Sequence, residues 1–313
     1  MPMHRSLCQL SHSLSIARGV VICLLCMAAS FTAADAGEDA VSALQASATN
    51  LSYGEDPRQV IDLWLPTEVA QPPLIVYVHG GAWRLGDRSR VAAKPAWALE
   101  AGWALASVEY RLTPQVRHPA HVEDIAAAVA WIQQHHQQLG VDPHRVALLG
   151  HSAGAHLVTF VGVDGQLRAR AGIHDPGLRA VIALDGAGYD IPAIMASGNR
   201  QLRRIYSDAF GDDPAGWVAA SPTHQIKPAD HHPSFLLFSV AHREAATVAA
   251  AELARRLMEV GAQAQAVPIP NTTHAEINRS FGLADATTTA LATAFLHEAF
   301  KPVASPTEEI TNP

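Results

Sequence analysis

Hydrophobic positions along the chain fall into short continuous runs, and longer stretches with helical spacing separate them. The apolar runs are Val60–Leu65, Leu74–Val78, Ala104–Tyr110, Val146–Leu149, Ala180–Leu184, Phe235–Val240 and Ala264–Ile269. The stretches with helical spacing are Ala92–Ala101, Ala120–His136, Ala153–Val163, Ala245–Gly261 and Asp285–Phe300. Strands that are apolar throughout, rather than at alternate positions, are typical of a parallel sheet covered by helices on both faces. The pattern therefore predicts an α/β fold.

The alternation is interrupted between residues 186 and 233, where short helical pieces are interspersed with Pro214, Pro222 and Pro228. Open α/β sheets bind ligands at the carboxyl edge of their strands, so we expect this segment to form a small cap over that edge. The main folded domain is predicted to span residues 37–301. The Pro-containing tail at residues 302–313 is predicted to be disordered.

Residues 1–36 differ in character from the rest of the chain. Arg5 and Arg18 precede the apolar run Gly19–Phe31, and Ala34 and Ala36 fit a small-residue cleavage site. This order is typical of a secretory signal peptide. The apolar run is shorter than the roughly 20 residues that span a bilayer, so we expect no stable membrane anchor. The sequence thus predicts an exported protein, periplasmic or secreted.

Composition and charge narrow the possible functions further. All three cysteines lie inside the predicted signal peptide, so the mature chain would have no disulfide, thiolate metal site or cysteine nucleophile. The net charge is -7 and no basic stretch occurs, which argues against a nucleic-acid partner. A hydrophobic fraction of 49% provides for a substantial core.

A G-x-S-x-G motif at residues 150–154 carries the strongest chemical signal. It follows the predicted strand Val146–Leu149 and begins the predicted helix Ala153–Val163. In this context small flanking residues permit a strained turn that exposes Ser152 beside the helix N-terminus. The motif therefore predicts Ser152 as a nucleophile.

A second motif, HGGAW at residues 79–83, follows the predicted strand Leu74–Val78. Adjacent glycines let backbone N–H groups converge on one point, as a developing oxyanion requires. The predicted oxyanion-hole residues are Gly80, Gly81, Ala82 and, from the first motif, Ala153. The side chains predicted to line a substrate pocket are those of Trp83, His151 and Tyr206.

Together these motifs resemble those of a known enzyme superfamily. HGGAW (79–83), EYRLTP (109–114), HPAHVEDIAAAVAWI (118–132), GHSAGA (150–155) and NTTHAEINRSFG (271–282) occur in the order found in the α/β-hydrolase superfamily. The match is to its esterase branch, which is akin to hormone-sensitive lipase and kynurenine formamidase. This resemblance implies an eight-stranded, mainly parallel sheet and a Ser-acid-His hydrolase. It also implies that Arg111 and Asp124 belong to the scaffold.

The order serine, acid, histidine places the general base after the last predicted strand, which leaves His274 and His297. His297 falls inside a predicted helix, whereas His274 lies in a loop just past the strand, so His274 is the predicted base. The paired histidines elsewhere in the chain have no third metal ligand at suitable spacing. We therefore predict no metal and no organic cofactor.

The acid departs from the pattern of the superfamily, which usually places an aspartate shortly after the strand that matches Phe235–Val240. No aspartate occurs between Asp230 and Asp285, and Glu244 is the local carboxylate. Glutamate serves as the acid in some members of this fold. Glu244 is accordingly the predicted acid, with Asp185 and Asp190, after the preceding strand, as alternatives.

These residues predict a serine carboxylesterase that hydrolyses short-chain acyl or aryl esters through an acyl-enzyme intermediate. The expected partner is a small-molecule ester, and the oligomeric state is left open. Two alternatives remain: an arylformamidase-type amide hydrolase using the same residues, and a non-catalytic binding protein on a degenerate hydrolase scaffold. The missing aspartate is what motivates the last.

Overall fold

All seven apolar runs form strands of one sheet in the computed structural model, which describes residues 44–302. The strands are β1 (Ala48–Ser52), β2 (Val60–Trp64), β3 (Leu74–Val78), β4 (Ala104–Val108), β5 (Val146–His151), β6 (Leu178–Leu184), β7 (Ser234–Val240) and β8 (Ala264–Ile269). The predicted signal peptide (1–36) and, except for its first residue, the tail predicted at 302–313 lie outside the described residues.

Helices connect most of the strands. They are α1 (Lys94–Glu100), α2 (Ala120–Gln134), α3 (His136–Leu139), α4 (Ala153–Val163), α5 (Gly165–Ala171), α6 (Ile191–Ala196), α7 (Arg200–Phe210), α8 (Pro214–Ala219), α9 (Pro222–Gln225), α10 (Glu244–Glu259), α11 (Glu276–Arg279) and α12 (Thr287–Ala299). Among residues 44–302, none of these helices has the length and apolar character needed to cross a bilayer.

The strand order in the sheet is β1-β2-β4-β3-β5-β6-β7-β8. β1 and β2 are antiparallel to their neighbours, and all pairs from β4 to β8 are parallel. From β3 the chain crosses to β4, toward the β1 edge of the sheet, and from β5 it crosses to β6, toward the β8 edge. Connections that diverge in this way open a crevice at the carboxyl ends of the two strands, where α/β proteins bind ligands. Both glycine-containing motifs follow these two strands.

Continuous apolar strands arise here because both faces of the sheet are buried. In β3, Leu74, Val76 and Val78 belong to the hydrophobic cluster on one face, while Ile75 and Tyr77 belong to the cluster on the other. Successive strand residues point to opposite faces, so a doubly covered strand has no polar position. Each aliphatic side chain buried in this way contributes about 1.5–3 kcal/mol.

The strand missed by the sequence pattern is β1, whose sequence is ATNLS. It lies at the edge of the sheet, pairs only with β2, and none of its residues is fully buried. An edge strand of this kind has no need of a continuous apolar run. The resemblance implied eight strands, and the sheet has eight.

Arg111 and Asp124 form a scaffold contact, as predicted. Asp124 is buried on α2 and accepts hydrogen bonds from the backbone N–H and the guanidinium of Arg111, at 2.6–3.1 Å. Gln59 donates a further hydrogen bond of 2.7 Å to the same carboxylate. Paired and fully hydrogen-bonded, the buried charge ties the segment after β4 to α2 and to the turn before β2.

The segment between β6 and β7 contains the four short helices α6 to α9, in the region predicted to form a cap. α7 is strongly amphipathic: Tyr206, Ala209 and Phe210 are buried, whereas Arg203 and Arg204 are exposed. The buried side packs into the same hydrophobic cluster as α4. Packing of its apolar face thus holds this segment on the rest of the domain.

Two fully buried histidines support the region between α2 and α4. Burial lowers the pKa of His121 to about 4 and that of His156 to about 3. The His156 ring is bonded through both nitrogens, to the Trp83 indole and to the Ala220 carbonyl. Both rings are therefore neutral in the folded protein near neutral pH.

These histidines predict a loss of stability in mild acid. Between about pH 6.5 and pH 4 the unfolded chain takes up protons that the folded chain excludes. The free energy of unfolding should therefore fall by up to about 1.4 kcal/mol per pH unit for each such histidine. Replacing His121 by leucine removes one group that takes up a proton on unfolding. The slope of the unfolding free energy against pH should therefore decrease by up to about 1.4 kcal/mol per pH unit, as measured by urea unfolding across this range.

The substitution leaves the Thr113 hydroxyl bonded to the Val116 carbonyl, so it creates no new unpaired group. The matched control is His242→Gln, which changes an exposed histidine and should leave the slope unaltered. An identical slope in the wild type and in His121→Leu would contradict the assignment of a neutral buried ring.

Candidate active site

Ser152 lies at the sharp turn between β5 and α4. Its backbone has φ 55° and ψ -115°, a region that a serine rarely adopts. A Cβ at Gly154 would lie 2.2 Å from the Val78 carbonyl oxygen, and one at Gly150 would lie 2.4 Å from the Gly154 carbonyl oxygen. Only glycine fits at either position, which explains the spacing of the motif. The strained turn presents the Ser152 hydroxyl at the carboxyl edge of the sheet.

His274 lies in the loop between β8 and α11 and faces Ser152. Its Nε2 is 3.0 Å from the Ser152 Oγ, and its Nδ1 is 2.6 Å from the Asp185 Oδ2. Because a carboxylate only accepts, Nδ1 carries the hydrogen, and Nε2 is left to accept the hydrogen of the serine hydroxyl. Three residues thus form one continuous line of hydrogen bonds.

The carboxylate that meets His274 belongs to Asp185, not to Glu244 as predicted. Glu244 is the first residue of α10, is exposed, and makes no hydrogen bond with His274. The other alternative, Asp190, caps α6 by accepting the Ala193 N–H at 3.2 Å. Asp185 directly follows β6, with φ 45°, and this turn directs its side chain along the sheet edge toward His274. The signal in the sequence was its place directly after a predicted strand, which made it an alternative to Glu244.

Asp185 is 0% exposed, and both of its oxygens are bonded. Oδ1 accepts the Val240 N–H at 3.0 Å, while Oδ2 accepts from His274 and from the guanidinium of Arg243. Burial alone raises the pKa of such a carboxyl, but the His274 and Val240 hydrogen bonds and the Arg243 charge hold the pKa of Asp185 below its usual range. The acid is therefore ionised at neutral pH.

His151, predicted to line a substrate pocket, is half-buried and holds the His274 loop. Its Nε2–H donates to the His274 carbonyl at 2.8 Å, and the two rings lie 4.7 Å apart. Burial lowers the pKa of His151 to about 3, so the ring stays neutral and keeps this hydrogen. The residue before the nucleophile thus joins the end of β5 to the loop that carries the histidine.

The turn after β3 has the geometry predicted for an oxyanion hole. Gly81, Ala82 and Trp83 have φ values of 123°, 52° and 59°, and a Cβ at Gly81 would lie 2.0 Å from the Leu85 carbonyl oxygen. Among the described residues, no hydrogen-bond acceptor meets the N–H groups of Gly81, Ala82 or Ala153. Free N–H groups beside a nucleophile are the donors that a developing oxyanion needs.

Gly80, also predicted to belong to the oxyanion hole, makes structural contacts in this turn. Its carbonyl accepts the His79 Nδ1–H at 2.8 Å, and the His79 ring stacks on Tyr110 at 4.5 Å. A Cβ at Gly80 would lie 2.9 Å from the His151 Nδ1, so a larger residue would displace that ring. In the sequence His79 was noted only as part of a motif. Its contacts with Gly80 and Tyr110 show that it stabilises the turn.

Trp83 and Tyr206 are packed rather than open to a ligand, which corrects the prediction that they line a pocket. They are 1% and 3% exposed. The Trp83 ring meets Tyr206, Phe210 and His156 edge to face, with ring centres 4.8–5.3 Å apart. We call these four residues the aromatic cluster. It fills the space between the turn after β3, α4 and α7.

His297 lies on α12, where its ring packs against Trp103 at 5.0 Å, so His274 is the histidine at the serine. Within residues 44–302, no group of three His, Cys, Asp or Glu side chains is arranged to hold a metal ion.

The chain is similar in sequence to proteins named as esterases. It is 28% identical over 239 residues to esterase LipQ of Mycobacterium tuberculosis, covering 66% of this chain and 56% of that protein. It is 37% identical over 126 residues to esterase LipC of the same organism, covering 36% of this chain and 29% of that protein. The chain thus spans less than two thirds of the length of both relatives.

Solved structures share the fold. A truncated carbohydrate esterase from gut microbiota aligns with a TM-score of 0.68 and 20% identity over 84% of this chain and 99% of that one. Esterase B from Lactobacillus rhamnosis aligns with a TM-score of 0.68 and 20% identity over 88% of this chain and 93% of that one. The sheet and its connections are accordingly those of the α/β-hydrolase fold, as the sequence predicted.

The model of the BD-FAE family matches residues 61–242. This match extends from β2, through the turn after β3 and the nucleophile, to the residue before Arg243. Because it includes more than half of the sequence, the chain belongs to the BD-FAE family.

Proposed function

We propose that the protein is a serine carboxylesterase that hydrolyses short-chain acyl or aryl esters through an acyl-enzyme intermediate. The observation that carries the proposal is the line of hydrogen bonds from Ser152 through His274 to Asp185, with free N–H groups beside the serine. Nucleophile, base, orienting acid and oxyanion donors are the parts that acyl transfer requires. The similarity to esterases LipQ and LipC supports the same reaction class.

Acylation begins when Ser152 attacks the ester carbonyl and His274 Nε2 takes the hydroxyl proton. The carbonyl oxygen becomes an oxyanion, which the N–H groups of Gly81, Ala82 and Ala153 bind. Asp185 keeps the His274 ring in the tautomer with a free Nε2 and stabilises its protonated form. The protonated ring then gives its proton to the leaving alcohol.

Deacylation repeats these steps with water as the nucleophile. His274 takes a proton from water, the second tetrahedral oxyanion occupies the same N–H groups, and Ser152 leaves with the proton returned by His274. Removing one oxyanion donor from a site of this kind costs roughly a hundred- to a thousandfold in rate. The backbone of the turn after β3 therefore contributes to the reaction beside the side chains.

The two sides of the site differ in the space they offer. The aromatic cluster occupies the side next to Trp83, whereas the His274 side chain is 40% exposed. A long acyl chain directed at the cluster would have to displace buried rings, while a bulky alcohol can extend into solvent. We therefore propose short acyl groups on alcohols of varied size, and the structural similarity to a carbohydrate esterase makes esters of sugar hydroxyl groups one class to test.

The closed side also suits the smallest acyl group, a formyl. An N-formyl substrate presents its carbonyl to the same serine and N–H groups, so formamide hydrolysis is the second candidate. An N-formyl arylamine assayed beside the ester of the same acyl size separates the two activities.

We also propose that the protein is exported. The support is the basic start, apolar run and small-residue site in residues 1–36. Export predicts that the mature protein recovered outside the cytoplasm begins at Gly37, as read by N-terminal sequencing. Recovery from the cytoplasm with the first 36 residues intact would contradict the proposal.

The placement of the acid predicts unequal effects for two carboxylate substitutions. Asp185→Asn should lower the rate of serine labelling by a fluorophosphonate by about ten-thousandfold, because an amide favours the wrong imidazole tautomer. Glu244→Gln, the matched control, should label at the wild-type rate because Glu244 does not meet His274. The measurement is the second-order labelling constant at neutral pH.

The opposite ranking of these two variants would return the role of the acid to Glu244. A wild-type protein that is not labelled at all, with no hydrolysis of any ester, would favour the non-catalytic binding protein.

The aromatic cluster predicts a chain-length preference. Turnover of p-nitrophenyl esters by the wild type should fall from acetate and butyrate to palmitate, and Ser152→Ala should abolish it. Phe210→Ala removes one wall of the cluster and should raise the ratio of kcat/KM for octanoate over acetate by about tenfold, since one or two methylenes in a pocket are worth about 1–3 kcal/mol.

Trp217→Phe controls for disturbance of the cap, because Trp217 lies on α8 and bonds to the Gly211 carbonyl outside the cluster. It should leave the ratio unchanged. Faster turnover of palmitate than of acetate by the wild type would contradict the closed acyl side.

A further inference from the structure

The side chain of Arg243 occupies an unusual place for a surface arginine. The residue precedes the first turn of α10, and its guanidinium turns back over the sheet edge to the Asp185 carboxylate. It is 39% exposed, yet the carboxylate that it contacts is fully buried. Surface ion pairs contribute little to stability, whereas a pair that ends on a buried, ionised group affects that group directly.

Arg243 and His274 converge on the same oxygen. Both contact Asp185 Oδ2, and the guanidinium Nη1 lies 2.9 Å from the His274 Nδ1. A guanidinium only donates, so it has no hydrogen bond to make with a ring nitrogen that already carries a hydrogen. The productive tautomer therefore requires that both donors point to Asp185.

A second arrangement of the same atoms is unproductive. If Nδ1 loses its hydrogen and accepts from Arg243, the ring hydrogen moves to Nε2 and points at Ser152. His274 is then unable to take the serine proton. The ionised Asp185, fixed by the Val240 N–H, opposes this arrangement because it draws the Nδ1 hydrogen toward itself.

The guanidinium charge also acts on the protonated ring. A cation beside the imidazole disfavours a second positive charge there, and its contact with Asp185 offsets part of the negative charge that stabilises that form. Both effects have the same direction: replacing Arg243 by a neutral residue would favour the protonated ring. The base works only in its neutral form, so the guanidinium charge bears on how activity depends on pH.

The other charged and titratable groups around the ring do not supply this effect. His151, from β5, is held neutral and bonds to the His274 carbonyl. Lys94, from α1, donates to the Asn278 carbonyl at 2.8 Å. Glu276, from α11, is paired with Arg279 at 2.8 Å, and Glu244 is exposed on α10. Among residues 44–302, Arg243 is the cation that contacts both the acid and the base.

We propose that Arg243 is a positioning residue that sets the acidic limit of activity by holding Asp185 and by opposing protonation of His274. The proposal rests on the proposed esterase function. It assigns a role to a residue that sequence reasoning passed over in favour of its neighbour Glu244.

The test compares Arg243→Gln and Arg243→Lys with the wild type. For each protein, kcat/KM for a short ester and the fluorophosphonate labelling constant are measured from about pH 4 to about pH 9. In Arg243→Gln the acid limb of both profiles should move to higher pH by about half to one unit, a three- to tenfold loss in acid. Arg243→Lys keeps the charge and should move the limb by less than half as much.

The matched control is Arg255→Gln, on the same helix. Arg255 is exposed, pairs with Glu252 and Glu259, and has no contact with the site, so its profile should superimpose on that of the wild type. Thermal unfolding of every variant shows which of them are folded. If Arg243→Gln is unfolded, the profile of Arg243→Lys against that of Arg243→Met decides.

A uniform loss of rate with an unmoved acid limb would assign Arg243 a purely structural role and overturn the inference. A limb that moves to lower pH would reverse the sign of the charge effect and overturn it as well. Failure of the wild type to label or hydrolyse at any pH would instead overturn the proposed function. Labelling by the wild type therefore separates the two failures.

Discussion

The buried carboxylate of Asp185 is the constraint on which the arrangement of the site depends. Its side chain receives a backbone N–H from the end of β7, an imidazole N–H from the loop after β8, and the guanidinium that precedes α10. A buried charge is costly unless it is fully paired, and breaking such a pair typically costs several kcal/mol. The four elements that meet at Asp185 are therefore fixed relative to one another, and the serine at the end of the neighbouring β5 has its base in reach.

Most of the sheet could be predicted from the sequence because its central strands are buried on both faces. A run such as Leu74–Val78 has no alternative that satisfies its side chains as well, and the motifs that follow β3 and β5 were placed correctly for the same reason. β1 was missed because an edge strand with the sequence ATNLS buries little. The short helices between β6 and β7 begin at prolines or at capping residues such as Asn199, signals that locate a helix start but not its packing.

The site was predicted where backbone geometry decides it and was mistaken where side-chain direction decides it. Ser152 and the glycine turn follow from strain that only particular residues tolerate. Glu244 had the expected position along the chain, but the first residue of α10 projects into solvent, and its neighbour Arg243 turns inward instead. The sequence has no direct signal for that choice. Asp185 was an alternative because it follows a strand, and its positive φ, which aims the carboxylate at His274, is a property of the folded turn alone.

His151 and Arg243 act on different parts of His274. His151 fixes the backbone of the His274 loop through a neutral contact that does not change with pH in the working range. Arg243 adds a positive charge beside Nδ1 of the ring, and this charge disfavours the imidazolium that forms in each transition state. In the role proposed for Arg243, some transition-state stabilisation is exchanged for a charge that opposes protonation of the base. This exchange depends on the burial of the Asp185 carboxylate. Solvent would weaken the contacts of an exposed acid with His274 and Arg243, and both the orientation of the ring and the charge effect would be reduced.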